Sequence, residues 1–237
     1  MPLKILLLLN RIPFPLHDGG ALAMDAMIRG YYEAGCQVHV LAMNTTRHYV
    51  LREKVESLYP EITGFHCVEV DNNISKLGIL KNLLCSKKPE HLERFVSKAF
   101  AARLAELLGD VQPDFVQLES PFLASYLPLL RSNGKSIIAY RMHNVEAQIW
   151  QRLADATPGI KRWYLQNLAQ RMSTFEKQLW ADVDLLIPIT DTDARMVKAA
   201  GINTPIYVAG IGFDLGNMQQ KRPLTKPYKL YHIGAMD

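Results

Sequence analysis

The sequence lacks the cysteine and charge patterns that mark several large functional classes. Its three cysteines, Cys36, Cys67 and Cys85, form no CxxC pair and no His/Cys cluster at metal-ligand spacing, which argues against a disulfide framework or a structural zinc site. No run of Lys and Arg has the density of a nucleic-acid-binding arm, and the formal net charge is only +4 over 237 residues. We therefore expect a reducing, cytoplasmic setting and no nucleic-acid partner.

Long apolar runs are also missing. The apolar stretch at 5–9 is too short for a signal peptide, and no run reaches the roughly 18 residues needed to cross a bilayer. Residues 79–88 and the basic side chains of Arg94, Lys98 and Arg103 combine apolar and basic character. This pattern suits contact with anionic lipid headgroups at the inner face of a membrane, and equally a solvated face over a core.

Two nucleotide-binding signatures are absent as well. No GxGxxG directly follows a predicted strand, and the second predicted strand ends at Met43 and Asn44 without a ribose-binding acid. No GxxxxGK[ST] phosphate loop occurs either. The missing nicotinamide fingerprint disfavours an oxidoreductase.

Short apolar runs alternate with amphipathic segments along most of the chain. The short runs are typical of strands buried on both faces, and apolar residues three and four apart indicate helices. Strands are predicted at 5–9, 38–43, 65–70, 115–119, 136–140, 185–188 and 206–208. Parallel strands need crossover connections. The sequence therefore predicts an α/β fold with a doubly wound, mostly parallel Rossmann-like sheet.

Glycine and proline punctuate the predicted helices. One helix is predicted from Gly20 to Ala34, and another from Lys88 through Leu108, closed by Gly109. The periodicity disappears over residues 210–228, which have linker composition, and residues 229–234 then read as a fresh strand. We expect a first domain at 1–209, a linker at 210–228 and, at 229–237, the first strand of a second domain that is missing here.

Candidate site residues lie in the loops after the predicted strands. Ligands bind a doubly wound sheet outside the carboxyl ends of its strands, where the strand order reverses. After strand one, Asp18, Gly19 and Gly20 precede a helix. Paired glycines allow a ligand to approach the backbone closely, and free amides at a helix start favour an anionic or hydroxyl-rich group. An ordinary turn with a helix cap is the alternative.

The loops after strands four and five supply further polar groups. Glu119 ends strand four, where a carboxylate suits acceptor hydroxyls, and Arg141, His143, Asn144 and Glu146 follow strand five. A histidine can donate to a sugar hydroxyl, an asparagine can donate and accept, and an arginine can pair with phosphate or carboxylate. Alternatively, the histidine and asparagine cap the next helix and Glu146 faces solvent.

Several segments follow one another in the order found in a known enzyme family. They are PFP at 13–15, DGGA at 18–21, AGCQVHV at 34–40, RMHNVE at 141–146, FE at 175–176, PITDTD at 188–193, GIGFD at 210–214 and YHIGAMD at 231–237. In this order and spacing the chain resembles the amino-terminal, acceptor-side domain of family 4 glycosyltransferases. Those enzymes have the GT-B fold and retain anomeric configuration.

The resemblance implies transfer of a hexose from a UDP- or GDP-linked donor to a glycan or lipid-linked acceptor, with no cofactor or metal. Such reactions build polysaccharides or glycolipids. It also implies that the loop of Asp18, Gly19 and Gly20 lies near the donor phosphate and the transferred sugar, which His143 contacts. Most of the nucleotide site would lie in the second domain in cis. This fragment alone is therefore expected to be inactive.

Two other functions stay open at this point. A GT-B-like epimerase or phosphorylase would share the domain but not the reaction. A non-catalytic module that binds a glycan or a lipid headgroup would share neither the reaction nor the need for a second domain.

Overall fold

A computed structural model of the chain describes residues 2–55, 57–73, 82, 89–132 and 134–212. Most of the predicted linker at 210–228, and the whole of the predicted strand at 229–237, lie outside the described residues. Most of the apolar and basic stretch at 79–88 also lies outside them.

Six strands form a single sheet in which every pair is parallel. They are β1 (Lys4–Leu9), β2 (Gln37–Thr45), β3 (Gly64–Val70), β4 (Phe115–Leu118), β5 (Ile137–Met142) and β6 (Leu185–Pro188). The order β3-β2-β1-β4-β5-β6 reverses between β1 and β4. This arrangement confirms the predicted doubly wound α/β sheet and places its switch point at the carboxyl ends of β1 and β4.

Helices connect these strands. They are α1 (Gly19–Glu33), α2 (Arg52–Val55), α3 (Glu90–Glu93), α4 (Lys98–Val111), α5 (Leu127–Ser132), α6 (Glu146–Ala156), α7 (Ile160–Asp182) and α8 (Asp191–Ala199), with short 3₁₀ helices at Thr46–His48 and Pro121–Tyr126. Side-chain caps fix the starts of α1 and α8, because Asp18 Oδ1 accepts from the Ala21 amide at 3.0 Å and Thr190 Oγ1 accepts from the Asp193 amide at 3.1 Å. No helix in the described ranges is long and apolar enough to cross a membrane.

The core covers both faces of β1, which explains its unbroken run of leucines. Leu6 and Leu8 belong to the cluster that packs against α4, whereas Leu7 and Leu9 belong to the cluster that packs against α1. All four side chains are fully buried. A central parallel strand has no solvent side, so its sequence shows no polar alternation.

The structure corrects three of the predicted element boundaries. Residues 206–208 do not form a seventh strand, because only Ile206 makes a bridge, to Leu186. The helix predicted from 88 to 108 is split into α3 and α4, since Ser97 adopts an extended conformation and caps the Phe100 amide at 3.3 Å. Gly109 lies inside α4, which ends at the left-handed Gln112 (φ 49°).

The fifth strand is also longer than predicted. It runs to Met142 instead of ending at residue 140, so Arg141 lies within β5 and not in the following loop. His143 is consequently the first residue beyond the strand. Because the strand ends two residues later than predicted, His143 lines the cavity described below and Arg141 does not.

Candidate functional site

A cavity of about 130 Å³ lies at the carboxyl ends of β1, β4 and β5, beside the start of α1. Its lining comprises Asn10, Arg11, Gly20, Met24, Glu119, Ser120, Pro121, Phe122, Tyr140, His143, Asn144 and Glu146. Five of the eight predicted site residues are among them: Gly20, Glu119, His143, Asn144 and Glu146. The strand-order reversal thus brings three loops to one place, although they are far apart in sequence.

Glu119 and His143 form the central pair of this cavity. His143 Nε2 lies 2.7 Å from Glu119 Oε2, and the glutamate side chain is completely buried while the histidine ring retains 17% of its exposure. Arg141 Nη1 lies 3.6 Å from the same carboxylate oxygen. A buried carboxylate needs such a compensating charge, because desolvation would otherwise cost several kcal/mol.

A chain of hydrogen bonds holds the other oxygen of Glu119 in place. Gln117 Nε2 donates to Glu119 Oε1, and the Tyr31 hydroxyl donates to Gln117 Oε1 at 2.6 Å. Burial, together with the negative charge of Glu119, raises the pKa of Tyr31 to about 12, so the hydroxyl keeps its proton at neutral pH. Tyr31 therefore orients the amide of Gln117, and this amide orients the carboxylate.

This network also determines which nitrogen of His143 faces the ligand. A carboxylate only accepts hydrogen bonds, so the Nε2 atom that contacts Glu119 must carry the proton of the neutral ring. Nδ1 is then the acceptor that remains for a ligand in the cavity.

In the glycine loop, the side chains of Arg11 and Asp18 lie close to the backbone of Gly20 but not to that of Gly19. A Cβ atom added to Gly20 would lie 3.1 Å from Arg11 Nη2 and 3.2 Å from Asp18 Oδ1, whereas one added to Gly19 would meet nothing within 4 Å. Asp18 does not line the cavity; it pairs with Arg11, which does. This pairing is the main reason that the pKa of Asp18 is lowered to about 2.

Arg141 lies beneath the cavity and does not line it. The side chain is 1% exposed, and its Nη1 donates to the Ala23 carbonyl in α1 at 2.7 Å. It thereby links β5 to α1 next to Glu119. A direct contact between Arg141 and a phosphate, expected from the sequence, stays a prediction, as do the ligand contacts expected for the other site residues.

A buried glutamate on α7 fixes the start of α6. Glu176 Oε1 and Oε2 accept from the amides of Glu146 and Ala147 at 2.8 and 2.9 Å. The residue at the N-cap position is Val145, which has no capping side chain, so His143 and Asn144 do not cap this helix. Burial raises the pKa of Glu176 to about 7 and also raises the pKa of Glu146.

Sequence reasoning missed several residues that shape the site. Asn10 and Arg11 directly follow β1 and could have been included with the glycine loop. Tyr140 lies inside β5, is fully buried, and its hydroxyl has no hydrogen-bond partner in the described part of the chain. Tyr31 contacts Gln117 across 86 positions, and no local pattern indicates such a pairing. Within the described ranges, no group of three or more His, Cys, Asp and Glu residues is arranged to hold a metal ion.

No protein-family model and no curated protein sequence matches the chain. Solved structures do match it in fold. Sucrose-phosphate synthase from Thermosynechococcus elongatus is 13% identical with a TM-score of 0.55, over 90% of this chain and 49% of that one. Anabaena Alr3699/HepE in complex with UDP and glucose is 13% identical with a TM-score of 0.53, over 90% and 46%.

A plant structure also matches the chain in fold at low identity. Medicago truncatula UGT71G1 complexed with UDP-glucose is 12% identical with a TM-score of 0.52, over 95% of this chain and 55% of that one. The chain thus spans about half the length of the solved chains that it matches. At such low identity the likeness concerns the fold alone. The chain has the α/β fold of the Rossmann-like half of GT-B glycosyltransferases.

Proposed function

We propose that this chain is the acceptor-side domain of a nucleotide-sugar-dependent glycosyltransferase. The observation that carries the proposal is the buried Glu119 carboxylate with His143 at 2.7 Å, at the switch point of the sheet and beside the start of α1. The fold supports it, because the same fold occurs in structures solved with UDP and glucose or with UDP-glucose.

The cavity residues suit the sugar end of a UDP- or GDP-linked donor. Nδ1 of His143 would accept from a hydroxyl of the transferred hexose. Gly20 leaves room for the donor near the first amides of α1, which with Arg11 would stabilise negative charge on the leaving diphosphate. During transfer, the bond from the anomeric carbon to the phosphate oxygen breaks and a bond to the acceptor oxygen forms.

We further infer retention of anomeric configuration, without a cofactor or an obligatory metal. The acceptor hydroxyl loses its proton in this reaction, and the leaving phosphate oxygen is a sufficient base. His143 is therefore assigned to binding of the transferred sugar and not to proton abstraction. This inference rests on the resemblance of the RMHNVE and DGGA segments to family 4 enzymes.

The proposal includes a second domain in cis that supplies most of the nucleotide site. The acceptor would be a glycan or a lipid-linked sugar, and the enzyme would act in the cytoplasm or peripherally at the inner face of the membrane. The isolated 237-residue chain would then be inactive, because the reaction needs groups from both sides of the cleft between the domains.

Thermal stabilisation tests the proposal directly. UDP- and GDP-sugars are added to the longer polypeptide that the proposal implies, with the present chain alongside. A ligand present at a hundred times its Kd should stabilise the folded state by about 2.7 kcal/mol. We expect one nucleotide sugar to raise the melting temperature of the longer protein and to leave that of the chain nearly unchanged.

The same experiment separates the other functions. Stabilisation of neither protein by any nucleotide sugar would remove the transferase proposal and favour a glycan- or headgroup-binding module. Conversion of the nucleotide sugar without an acceptor would point to an epimerase or a phosphorylase. Rapid transfer by the isolated chain would contradict the two-domain arrangement.

A further inference from the structure

A larger groove adjoins the cavity of Glu119 and His143. It has a volume of about 680 Å³, shares Asn10, Arg11 and Phe122 with the cavity, and continues over the carboxyl ends of β2 and β3 and along α3. The described residues that line it include three arginines and two histidines but no aspartate or glutamate. We call it the basic groove, after Arg11, Arg47, His48, His91 and Arg94.

We propose that the basic groove binds the acceptor and that this acceptor carries an anionic group, a phosphate or a carboxylate. The inference rests on the proposed glycosyltransferase function and adds the chemical class of the acceptor. Guanidinium groups bind both kinds of anion through paired hydrogen bonds.

Arg47 is one of the three arginines that line the groove. It lies in the short helix Thr46–His48 directly after β2, with an exposed side chain. No described residue forms a hydrogen bond or an ion pair with it. Other arginines of the domain, such as Arg29 and Arg131, are paired with carboxylates. The full donor set of Arg47 is therefore available to a ligand.

Two buried nitrogen atoms beside the groove have no hydrogen-bond partner among the described residues. Nδ1 of His91 is buried without a hydrogen bond to any described group. Nε of Arg94 lies 3.3 Å from Glu90 Oε1, but the geometry is not that of a hydrogen bond. Buried polar atoms nearly always have a partner in folded proteins. Two such atoms on one wall indicate a polar ligand that completes the site.

The protonation state of His91 fits a donor role. Burial, with a contribution from Arg94, lowers the pKa of His91 to about 4, so the ring is neutral at pH 7 and carries one N–H. Trp150 packs against this ring with a centroid distance of 4.3 Å, which keeps the imidazole in place. A neutral ring can donate its N–H to an anion without adding a positive charge to the buried pair of Arg94 and Glu90.

The carboxylates nearest to the groove already have partners. Asp18 pairs with Arg11, Glu90 with Arg94, and Asp71 accepts from the Thr46 hydroxyl at 3.3 Å. These three carboxylates do not line the groove themselves, but their partners Arg11, Arg94 and Thr46 do. Burial lowers the pKa of His48, and the charges of Arg11 and Arg47 lower it further while that of Asp18 raises it.

Two aromatic rings lie where the groove meets the cavity. Phe95 and Phe122 stack with a centroid distance of 4.9 Å and an interplanar angle of 6°, and Phe122 lines both spaces. An acceptor held by its anionic group at Arg47 and Arg94 would extend along this apolar wall. Its free hydroxyl would then lie towards His143, where the donor sugar is proposed to bind.

Calorimetric titration of the chain with inorganic pyrophosphate and, separately, with glucuronate tests the inference at low ionic strength. We expect saturable binding of at least one anion, and the comparison identifies phosphate or carboxylate as the group recognised. Arg47→Gln should weaken this binding about tenfold, equivalent to about 1.4 kcal/mol. Arg47 forms no hydrogen bond or ion pair with a described residue, so the variant should fold normally. The control Arg195→Gln alters another exposed arginine, outside the groove, and should leave the affinity unchanged.

A third titration distinguishes the acceptor from the diphosphate of the donor. It is carried out on the longer polypeptide, in which the nucleotide site is proposed to be complete. There, saturating UDP should leave pyrophosphate binding intact if the groove belongs to the acceptor. Displacement by UDP, with loss of UDP binding in Arg47→Gln, would assign the groove to the donor and overturn the inference. Absence of saturable anion binding, or an unchanged affinity in Arg47→Gln, would overturn it too. These titrations need no sugar transfer, so their failure leaves the nucleotide-sugar test to decide the proposed function separately.

Discussion

Substitution of Glu119 by glutamine tests whether the buried carboxylate is held by charge as well as by shape. The glutamine has nearly the same volume but removes the negative charge that faces Arg141 Nη1 at 3.6 Å, with the two side chains 0% and 1% exposed. Breaking a buried ion pair by neutralising one member costs about 3 to 5 kcal/mol, because the remaining charge is left uncompensated. Glutamine keeps part of the hydrogen bonding, so we expect about 3 kcal/mol.

The effect should be visible in a denaturation experiment on the chain. For a domain of this size, 1 kcal/mol corresponds to about 2 to 4 °C in Tm, so Glu119→Gln should lower Tm by about 6 to 12 °C. Glu106→Gln is the matched control, because Glu106 pairs with Arg103 at an exposed position where ion pairs contribute about 1 kcal/mol or less.

A second readout follows from the ring of His143. Because Glu119 Oε2 accepts from Nε2, the neutral ring should carry its proton on Nε2 in the parent protein, and its ¹⁵N chemical shifts should report this tautomer. In Glu119→Gln the amide can donate to the ring, so the proportion of the other tautomer should rise. A stability equal to that of Glu106→Gln, together with unchanged ring shifts, would refute the role assigned to the carboxylate.

The other predictions concern catalysis, pH dependence and the core. In the proposed two-domain enzyme, His143→Ala and Gly20→Val should each lower kcat/KM at least tenfold, about 1.4 kcal/mol of transition-state stabilisation; wild-type steady-state rates in both would contradict the proposed site. Burial raises the pKa of Glu176 from 4.5 to about 7, so the folded state binds more protons than the unfolded state and stability should fall as pH rises between these values. Glu176→Gln should flatten this dependence in urea titrations at several pH values, and an unchanged slope would argue against the raised pKa. Leu7→Ala should cost about 2 to 5 kcal/mol in the same assay, because the side chain is fully buried in the central strand; a smaller loss would indicate that the core collapses around the site.

The sheet could be predicted because a parallel strand buried on both faces leaves a simple pattern. The run of leucines in β1 has this pattern, and six of the seven predicted strands are found. Residues 206–208 have too few apolar positions to distinguish a strand from a single bridge, and only Ile206 pairs. The break between α3 and α4 was missed because it depends on the cap at Ser97 and not on the apolar periodicity.

The cavity could be predicted only in part, for a related reason. Parallel strands end at the same edge of the sheet, so residues that follow them, such as Glu119 and His143, meet there whatever their distance in sequence. The sequence predicts Arg141 in a loop because a polar side chain is untypical of a buried strand, whereas β5 continues to Met142. The contact from Glu176 to the Glu146 amide joins residues 30 positions apart, and local sequence carries no information about it.

The Glu119 and His143 pair is held by backbone hydrogen bonds, whereas Arg11 is held by a side-chain ion pair. This difference predicts which substitutions lower stability and which lower mainly ligand binding. The Glu119 amide donates to the Leu8 carbonyl at 3.0 Å, and the Ile189 amide donates to the Met142 carbonyl at 3.2 Å, so the backbone on either side of the Glu119 and His143 pair is bound into the strand ladder. Arg11, by contrast, is held through its side-chain pairing with the exposed carboxylate of Asp18. Substitutions at the ladder side should therefore lower stability and ligand binding together. Arg11→Gln should weaken ligand binding but lower the free energy of unfolding, measured by urea titration, by only about 1 kcal/mol or less, as expected for a pair with an exposed carboxylate.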